Sequence, residues 1–169
     1  MVEPLFDPKP LLQVLQEHDV AFVVVGLMAA VAHGSPVPTR DLDVTPSRTP
    51  QNYERVAAAL RDLDAKLRLP DGSGVEFRIE PRYLAGNSDW TLLTRFGVLD
   101  LVYLPAGTRG FDDLRRQAVE LDLGLGKPVL VASLSDVIRM KEASGRPKDD
   151  AALPALRQTL EVIRSRERG

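Results

Sequence analysis

Two aspartates separated by one residue, Asp41 and Asp43, form the pair whose spacing most clearly suggests chemistry. They open the segment 41–44, which alternates polar and apolar residues and therefore predicts a β-strand. Residues two apart on a strand point to the same face, so both carboxylates would lie together. Because such charges repel each other unless a cation or a proton lies between them, the pair predicts a divalent-metal site. The alternative is a solvated acidic pair at the start of a strand.

A third aspartate, Asp100, interrupts the apolar segment 98–104, which predicts a buried strand. A carboxylate in such a strand is costly unless it is paired, hydrogen-bonded or bound to metal. The alternative is a half-exposed strand on which Asp100 faces water beside Val98 and Val102. Three carboxylates on neighbouring strands would bind one or two metal ions that stabilise phosphoryl transfer. The third would also be able to take the proton of an acceptor hydroxyl.

Two further features suggest phosphate binding. Gly26 ends an apolar strand and opens a short helix, where free backbone N–H groups attract phosphate and glycine permits a close approach. Lys141 and Arg146 lie near the end of a later helix, where they would hold a triphosphate. The alternatives are an ordinary turn at Gly26 and a solvated helix end at the two cations.

Composition excludes several classes of site and of protein. The chain has no cysteine and only two histidines, His18 and His33, so a metal site must use oxygen ligands that suit magnesium, manganese or calcium. A net charge of -2 is not typical of a DNA-binding domain. Residues 1–10 have no apolar signal region, and the longest apolar run is too short to cross a bilayer. We therefore expect a soluble cytoplasmic protein with no membrane partner.

The elements that must position these residues alternate between strands and helices, which predicts an α/β (α+β) fold with a mixed sheet flanked by helices. The 169 residues suit a single domain, 1–169, with a helical C-terminal segment at about 133–167. The segment 75–87 is compatible with two short strands or a loop. Helices are predicted at about 8–18, 27–33, 52–67, 111–117, 134–143 and 147–166, and strands at 20–25, 41–44, 90–96, 98–104, 119–121 and 129–131.

Taken together, these residues resemble the nucleotidyltransferase superfamily and, more narrowly, the bacterial toxin branch related to the AbiE abortive-infection toxins. The resemblance covers about residues 20 to 155 and rests on the set as a whole rather than on one motif. The matching segments are Val25-Gly26-Leu27, His33-Gly34, Thr39-Arg40-Asp41-Leu42-Asp43, Asp100 and Lys141…Arg146-Pro147-Lys148-Asp149.

The resemblance implies a role for each matching residue. Asp41 and Asp43 would ligate Mg²⁺ or Mn²⁺, and Asp100 would complete the site or act as the base. Lys141 would contact the nucleotide phosphates, Asp149 would lie near the acceptor or the nucleotide, and Gly26 would cradle the triphosphate.

Two positions depart from the pattern of the family. Val25 stands where the branch has its first glycine, and Leu27 stands where it has a small hydroxyl residue. Ser35 and Thr39 are candidates to supply the missing hydroxyl.

Three functions fit this pattern. The first is transfer of NMP from an NTP to RNA, such as a tRNA end, or to a protein hydroxyl, with a toxin's role beside a cognate antitoxin. The second is a small-molecule transferase of the antibiotic-modifying type. The third is a non-catalytic regulator with a degenerate nucleotide site, which the departures at Val25 and Leu27 motivate. Eight Lys and Arg against five Asp and Glu in residues 139–169 favour an RNA acceptor.

Overall fold

A computed structural model describes residues 5–36 and 38–169 of the chain. Residues 1–4 and Val37 lie outside the described residues. Residues 1–4 belong to the segment 1–10, in which no signal peptide is predicted. The helices are α1 (Lys9–Glu17), α2 (Gly26–Ala32), α3 (Pro50–Asp62), α4 (Pro81–Leu84), α5 (Phe111–Arg115), α6 (Leu134–Ser144) and α7 (Pro147–Arg168). The strands are β1 (Phe22–Val25), β2 (Asp41–Pro46), β3 (Lys66–Arg68), β4 (Gly74–Val75), β5 (Asp89–Thr94), β6 (Gly97–Val102), β7 (Val119–Leu121) and β8 (Val129–Val131).

The strands form one mixed sheet in the order β4-β3-β5-β6-β2-β1-β8-β7. The central strand β2 is parallel to β6 and antiparallel to β1, and β1 is parallel to β8. β5 and β6 form an antiparallel hairpin. The predicted α/β fold with a mixed sheet, flanking helices and a helical C-terminal segment is confirmed.

The two strands that carry the aspartates have an apolar face and a polar face. On one face Leu42, Leu99 and Leu101 are fully buried in a core that also includes Val56 and Leu60 of α3. The aspartates alternate with these residues and lie on the opposite face, because strand side chains alternate in direction. Burial of the leucines therefore fixes which way the carboxylates point.

The C-terminal helices begin and end where local capping residues predict. The hydroxyl of Ser133 accepts a hydrogen bond from the backbone N–H of Asp136 at 3.1 Å and caps α6. Gly145 adopts a left-handed conformation (φ 62°) that ends α6, and Pro147 is the first residue of α7. Both helices are confirmed, and the junction between them carries the predicted phosphate-binding cations.

Between residues 63 and 87 the structure departs from the prediction. Helix α3 ends at Asp62 rather than near residue 67, because Asp64 turns the chain with a positive φ of 50°. Lys66–Arg68 instead forms β3, which pairs with Leu92 and Leu93 of β5. The open segment 75–87 contains the end of β4 and the short helix α4, which neither of the two predicted alternatives included. These pairings join residues distant in sequence, so local helical periodicity could not reveal them.

Within the described residues, every helix is too short or too polar to cross a bilayer.

Candidate functional site

The three predicted aspartates come together where β2 and β6 lie side by side. Asp43 is directly opposite Asp100 in the parallel register, and Asp41 lies two residues before Asp43 on the same face. One carboxylate oxygen of each residue lies within 4.8 Å of those of the other two. All three side chains are half-buried, as are Val98 and Val102 beside Asp100. The alternative prediction, a half-exposed strand at Asp100, therefore describes β6 correctly. The exposed face of β6 forms the wall of a cleft.

Two of the carboxylate oxygens, Asp43 Oδ1 and Asp100 Oδ1, are buried without a hydrogen-bond partner among the described residues. Burial, together with the neighbouring carboxyl groups of Asp100 and Asp41, raises the pKa of Asp43 to about 8. Burial also raises the pKa of Asp100. The two carboxylates thus either share a proton or hold a cation between them. An all-oxygen donor set of this kind fits a hard divalent cation such as Mg²⁺ or Mn²⁺.

Two threonine hydroxyls lie beside the outer carboxylates. Thr39 Oγ1 donates to Asp41, 3.2 Å from Oδ1 and 3.1 Å from the backbone oxygen. Thr91 lies opposite Asp100 in the β5–β6 hairpin, and its hydroxyl opposes the effect of burial on the pKa of that carboxyl group. Thr39 was predicted to bind nucleotide, and its observed contact is with Asp41. Sequence reasoning missed Thr91, although the two-residue turn at Arg95 and Phe96 fixes the hairpin register that places it.

Gly26 lies against the central carboxylate. Its φ is 66°, which favours glycine, and a Cβ atom built on it would overlap the carboxylate of Asp43. Val25, the residue before it, pairs with Asp43 across the β1–β2 ladder. The glycine predicted to cradle phosphate therefore provides the space that Asp43 occupies, and it opens the seven-residue helix α2.

The predicted cations and Asp149 form a cluster at the α6–α7 junction. Lys141 Nζ lies 2.8 Å from Asp149 Oδ1, and Arg146 Nε lies 2.8 Å from Asp149 Oδ2. The hydroxyl of Ser144 also donates to Oδ2. Burial raises the pKa of Asp149, but the hydrogen bonds from Lys141, Ser144 and Arg146 outweigh it and hold that pKa well below its usual range.

A single cleft of about 750 Å³ contains both groups of residues. Its lining includes the three aspartates, Gly26, Lys141, Arg146 and Asp149. Ser35 and Thr39 are not among the lining residues, and Ser35 is only 6% exposed, so the structure leaves these two predicted nucleotide ligands outside the cleft. Sequence analysis did not single out two other charged lining residues, Arg68 and Asp89.

Their omission has local causes. Arg68 lies on β3, where the sequence analysis predicted the end of a helix instead of a strand. Asp89 lies just beyond the segment 75–87, for which the prediction was left open between strands and a loop. A strand assignment at 66–68 with alternating Lys66 and Arg68 would have placed both cations on one face.

Comparison with known proteins identifies the fold. No protein-family model matches the chain, and no curated protein matches its sequence. A solved structure with a similar fold is the antibiotic-resistance factor ANT(2'')-Ia, an aminoglycoside nucleotidyltransferase reported to have substrate-regulated conformation dynamics. The two chains share 16% identity with a TM-score of 0.51, over 94% of this chain and 87% of that one. The chain therefore has the nucleotidyltransferase fold, and the AbiE branch stays a prediction.

Proposed function

We propose that the protein is a metal-dependent nucleotidyltransferase that transfers NMP from an NTP to an acceptor hydroxyl. The observation that carries this proposal is the convergence of Asp41, Asp43 and Asp100 at one wall of a cleft whose lining also includes Lys141 and Arg146. Anionic oxygens and cations in one cleft suit a metal-bound triphosphate, because the carboxylates bind the cation and the ammonium and guanidinium groups bind phosphate.

The residues have distinct roles in this proposal. Asp41, Asp43 and Asp100 hold Mg²⁺ or Mn²⁺, which when bound would stabilise the charge on the phosphoryl oxygens. Lys141 and Arg146 bind the phosphates that leave as pyrophosphate. Asp100 accepts the proton of the acceptor hydroxyl as that oxygen bonds to the α-phosphorus and the bond from the α-phosphorus to the bridging oxygen breaks.

For the acceptor we favour RNA, such as a tRNA end, or a protein hydroxyl. The support is the motif resemblance to the AbiE branch and the excess of Lys and Arg in residues 139–169. Arg68 and Lys148 add exposed cations to the cleft, which suit the phosphates of an RNA strand. The resemblance further suggests a cytoplasmic toxin controlled by a cognate antitoxin.

A second candidate is a small-molecule transferase of the antibiotic-modifying type. Its support is the fold similarity to ANT(2'')-Ia, together with Asp89, an exposed carboxylate in the cleft lining that would suit a cationic acceptor.

A non-catalytic regulator is the weaker account of the site. It would be favoured if Asp100 were paired with a basic side chain far from Asp41 and Asp43. Asp100 instead lies within 4.8 Å of both, and its Oδ1 has no partner among the described residues. Such a site is costly to maintain unless it binds a cation.

The test is an incubation of the purified protein with Mg²⁺ and each α-labelled NTP in turn. Total RNA, cell lysate protein and a set of aminoglycosides serve as acceptors in separate reactions. The Asp41→Ala, Asp43→Ala double variant tests dependence on the site, and Asp112→Asn, which changes an exposed carboxylate of α5 outside the cleft, is the control.

Each result has a definite meaning. Label on RNA, on protein or on an aminoglycoside, made by the wild type and by Asp112→Asn but not by the double variant, would establish the reaction and its acceptor class. No transfer from any NTP, together with no Mg²⁺-dependent NTP binding in calorimetry, would contradict the catalytic proposal and favour a degenerate binding protein.

A further inference from the structure

Asp149 is the most deeply buried carboxylate in the lining of the cleft. It is 1% exposed, whereas Asp41, Asp43 and Asp100 are half-buried and Asp89 is exposed. Its Oδ1 accepts from Lys141, and its Oδ2 accepts from Ser144 and Arg146. Both oxygens are thus already engaged by donors of its own chain. This arrangement is poorly suited to contact with an acceptor or a nucleotide.

The two cations that Asp149 holds differ in depth. The Lys141 side chain lines the cleft and is only 16% exposed, which makes it the inner of the two cations. The Arg146 side chain is 63% exposed and uses only its Nε atom on Asp149, so its outer nitrogens stay accessible to a ligand. One buried anion therefore fixes an inner and an outer cation in the same cleft.

Fixing these side chains in advance matters because both are long and flexible. A free lysine or arginine side chain loses roughly 1.5–2 kcal/mol of rotamer entropy when it is immobilised. A cation already held in place by the fold does not incur this loss again when a ligand binds, so preorganisation increases affinity. Arg146 lies three residues before Asp149, and Lys141 lies eight residues before it, on the last turn of α6.

We infer that Asp149 is a positioning residue that holds Lys141 and Arg146 in place for the triphosphate, and that it does not contact substrate itself. This inference rests on the proposed function and assigns Asp149 a different role from the one implied by the motif resemblance. It also makes Ser144 part of the support, since its hydroxyl fixes the same carboxylate.

The test uses Mg²⁺ with inorganic tripolyphosphate, a probe shared by every NTP. Calorimetry compares the wild type with Asp149→Asn and with Asp136→Asn. Asp136 of α6 is a matched control, because it too is a buried carboxylate that pairs with a cation, Arg139, at 3.1 Å, but it does not line the cleft. We expect Asp149→Asn to weaken binding by about 10-fold or more and Asp136→Asn to change it less than about two-fold.

A second comparison separates positioning from general support of the fold. In the Lys141→Met, Arg146→Gln background, the further change Asp149→Asn should alter tripolyphosphate binding by less than about two-fold, because the residues through which it acts are absent. The triple variant lacks Asp149 together with both of its cations and so leaves no uncompensated buried charge, which keeps a variant without Asp149 available if Asp149→Asn alone does not fold. Circular dichroism and urea unfolding check the fold of each variant.

The outcomes distinguish the inference from the proposed function. If the wild type binds Mg²⁺–tripolyphosphate and Asp149→Asn binds it equally well, the positioning role is wrong while the nucleotide site stands. A further loss of binding on adding Asp149→Asn to the background without cations would also overturn it. If the wild type binds neither tripolyphosphate nor any NTP, both proposals fail.

Discussion

At the scale of single residues, the central feature is a group of carboxylates that the fold brings close together without enough donors to satisfy them. Asp43 Oδ1 and Asp100 Oδ1 are buried and have no partner in the part of the chain that the structure describes. The hydroxyls of Thr39 and Thr91 lie beside the carboxylates of Asp41 and Asp100, but a hydroxyl group is neutral and cannot cancel their charge. A divalent cation would remove both the repulsion and the unmet hydrogen-bonding capacity.

We predict that Mn²⁺ or Mg²⁺ stabilises the wild type by about 2.7 kcal/mol at a metal concentration 100 times its Kd. Asp43→Asn should lose more than about 10-fold in metal affinity, since it removes the ligand between the other two. Calorimetry and thermal unfolding with and without metal measure both effects. Asp112→Asn should respond to metal as the wild type does, and equal metal stabilisation of Asp43→Asn would contradict the site.

The second residue-scale feature is the stabilisation that Asp149 provides as an ionised group. Its folded-state pKa is held below the ordinary value of 3.8, so the native state favours the charged form more than the unfolded state does. The contribution is therefore complete above that value and is lost as the pH falls through the lowered pKa.

We predict that Asp149→Asn lowers the free energy of unfolding by about 2 kcal/mol at neutral pH, because Lys141 loses its buried counter-charge. The difference from the wild type should shrink as the pH is lowered from about 5 to about 3. Urea unfolding at a series of pH values measures it. A difference that stays constant over this range would show that the charge of Asp149 is not what stabilises the fold.

At the scale of elements, the turn between β1 and α2 determines where the central carboxylate can lie. Gly26 begins α2 with a φ of 66° and has no side chain where the Asp43 carboxylate sits. The β1–β2 ladder pairs Val25 with Asp43 and keeps the two elements in this register. The geometry of the turn and the geometry of the aspartates are therefore coupled.

We predict that Gly26→Ala impairs metal binding as well as stability. Any alanine with positive φ costs roughly 1–2 kcal/mol, and at this position the new Cβ would also displace Asp43. Gly126→Ala, in the β7–β8 connection, is the matched control, because its φ is 83° and, apart from its chain neighbours, none of the described residues lies within 4 Å of its Cβ position. Unfolding and Mn²⁺ titration of both variants are the measurements. Equal loss of metal affinity in the two would contradict the coupling.

At the scale of the whole molecule, the cleft joins parts of the chain that are far apart in sequence. One wall is the β2–β6 face of the sheet, and another is the α6–α7 junction. A ligand that touches both walls, such as a metal-bound triphosphate, would link them as one unit. The local opening of α6 and α7 should then become less frequent.

We predict that Mg²⁺ with tripolyphosphate slows amide hydrogen exchange in β2, in β6 and at the α6–α7 junction together, by about 10-fold or more in the slowed amides. Hydrogen exchange followed by mass spectrometry measures it, with Asp43→Asn as a variant that should show no such effect. Protection confined to the α6–α7 junction would indicate phosphate binding without the metal site.

Much of the fold was predictable because its signals are local. A short apolar run predicted β1, and the glycine turn at 124–126 placed β7 and β8 on either side of it. Helical spacing predicted α1, and Ser133, Gly145 and Pro147 marked the limits of α6 and α7. The alternation of Asp41 and Asp43 along a strand likewise predicted that both carboxylates share a face. Each of these inferences depends only on neighbours within a few residues, which is the range over which capping and periodicity act.

Only the tertiary structure decided how these local pieces meet. The parallel register that sets Asp43 opposite Asp100 joins strands separated by more than fifty residues, and no local pattern specifies it. The same is true of β3, which exists because it pairs with β5, and of the side chains that surround Asp149 at the cleft. The residue types and faces were thus determined by the sequence at short range. The distances between these residues, which make them a candidate site, depend on contacts between distant parts of the chain. Those contacts form only when the whole chain packs into one core.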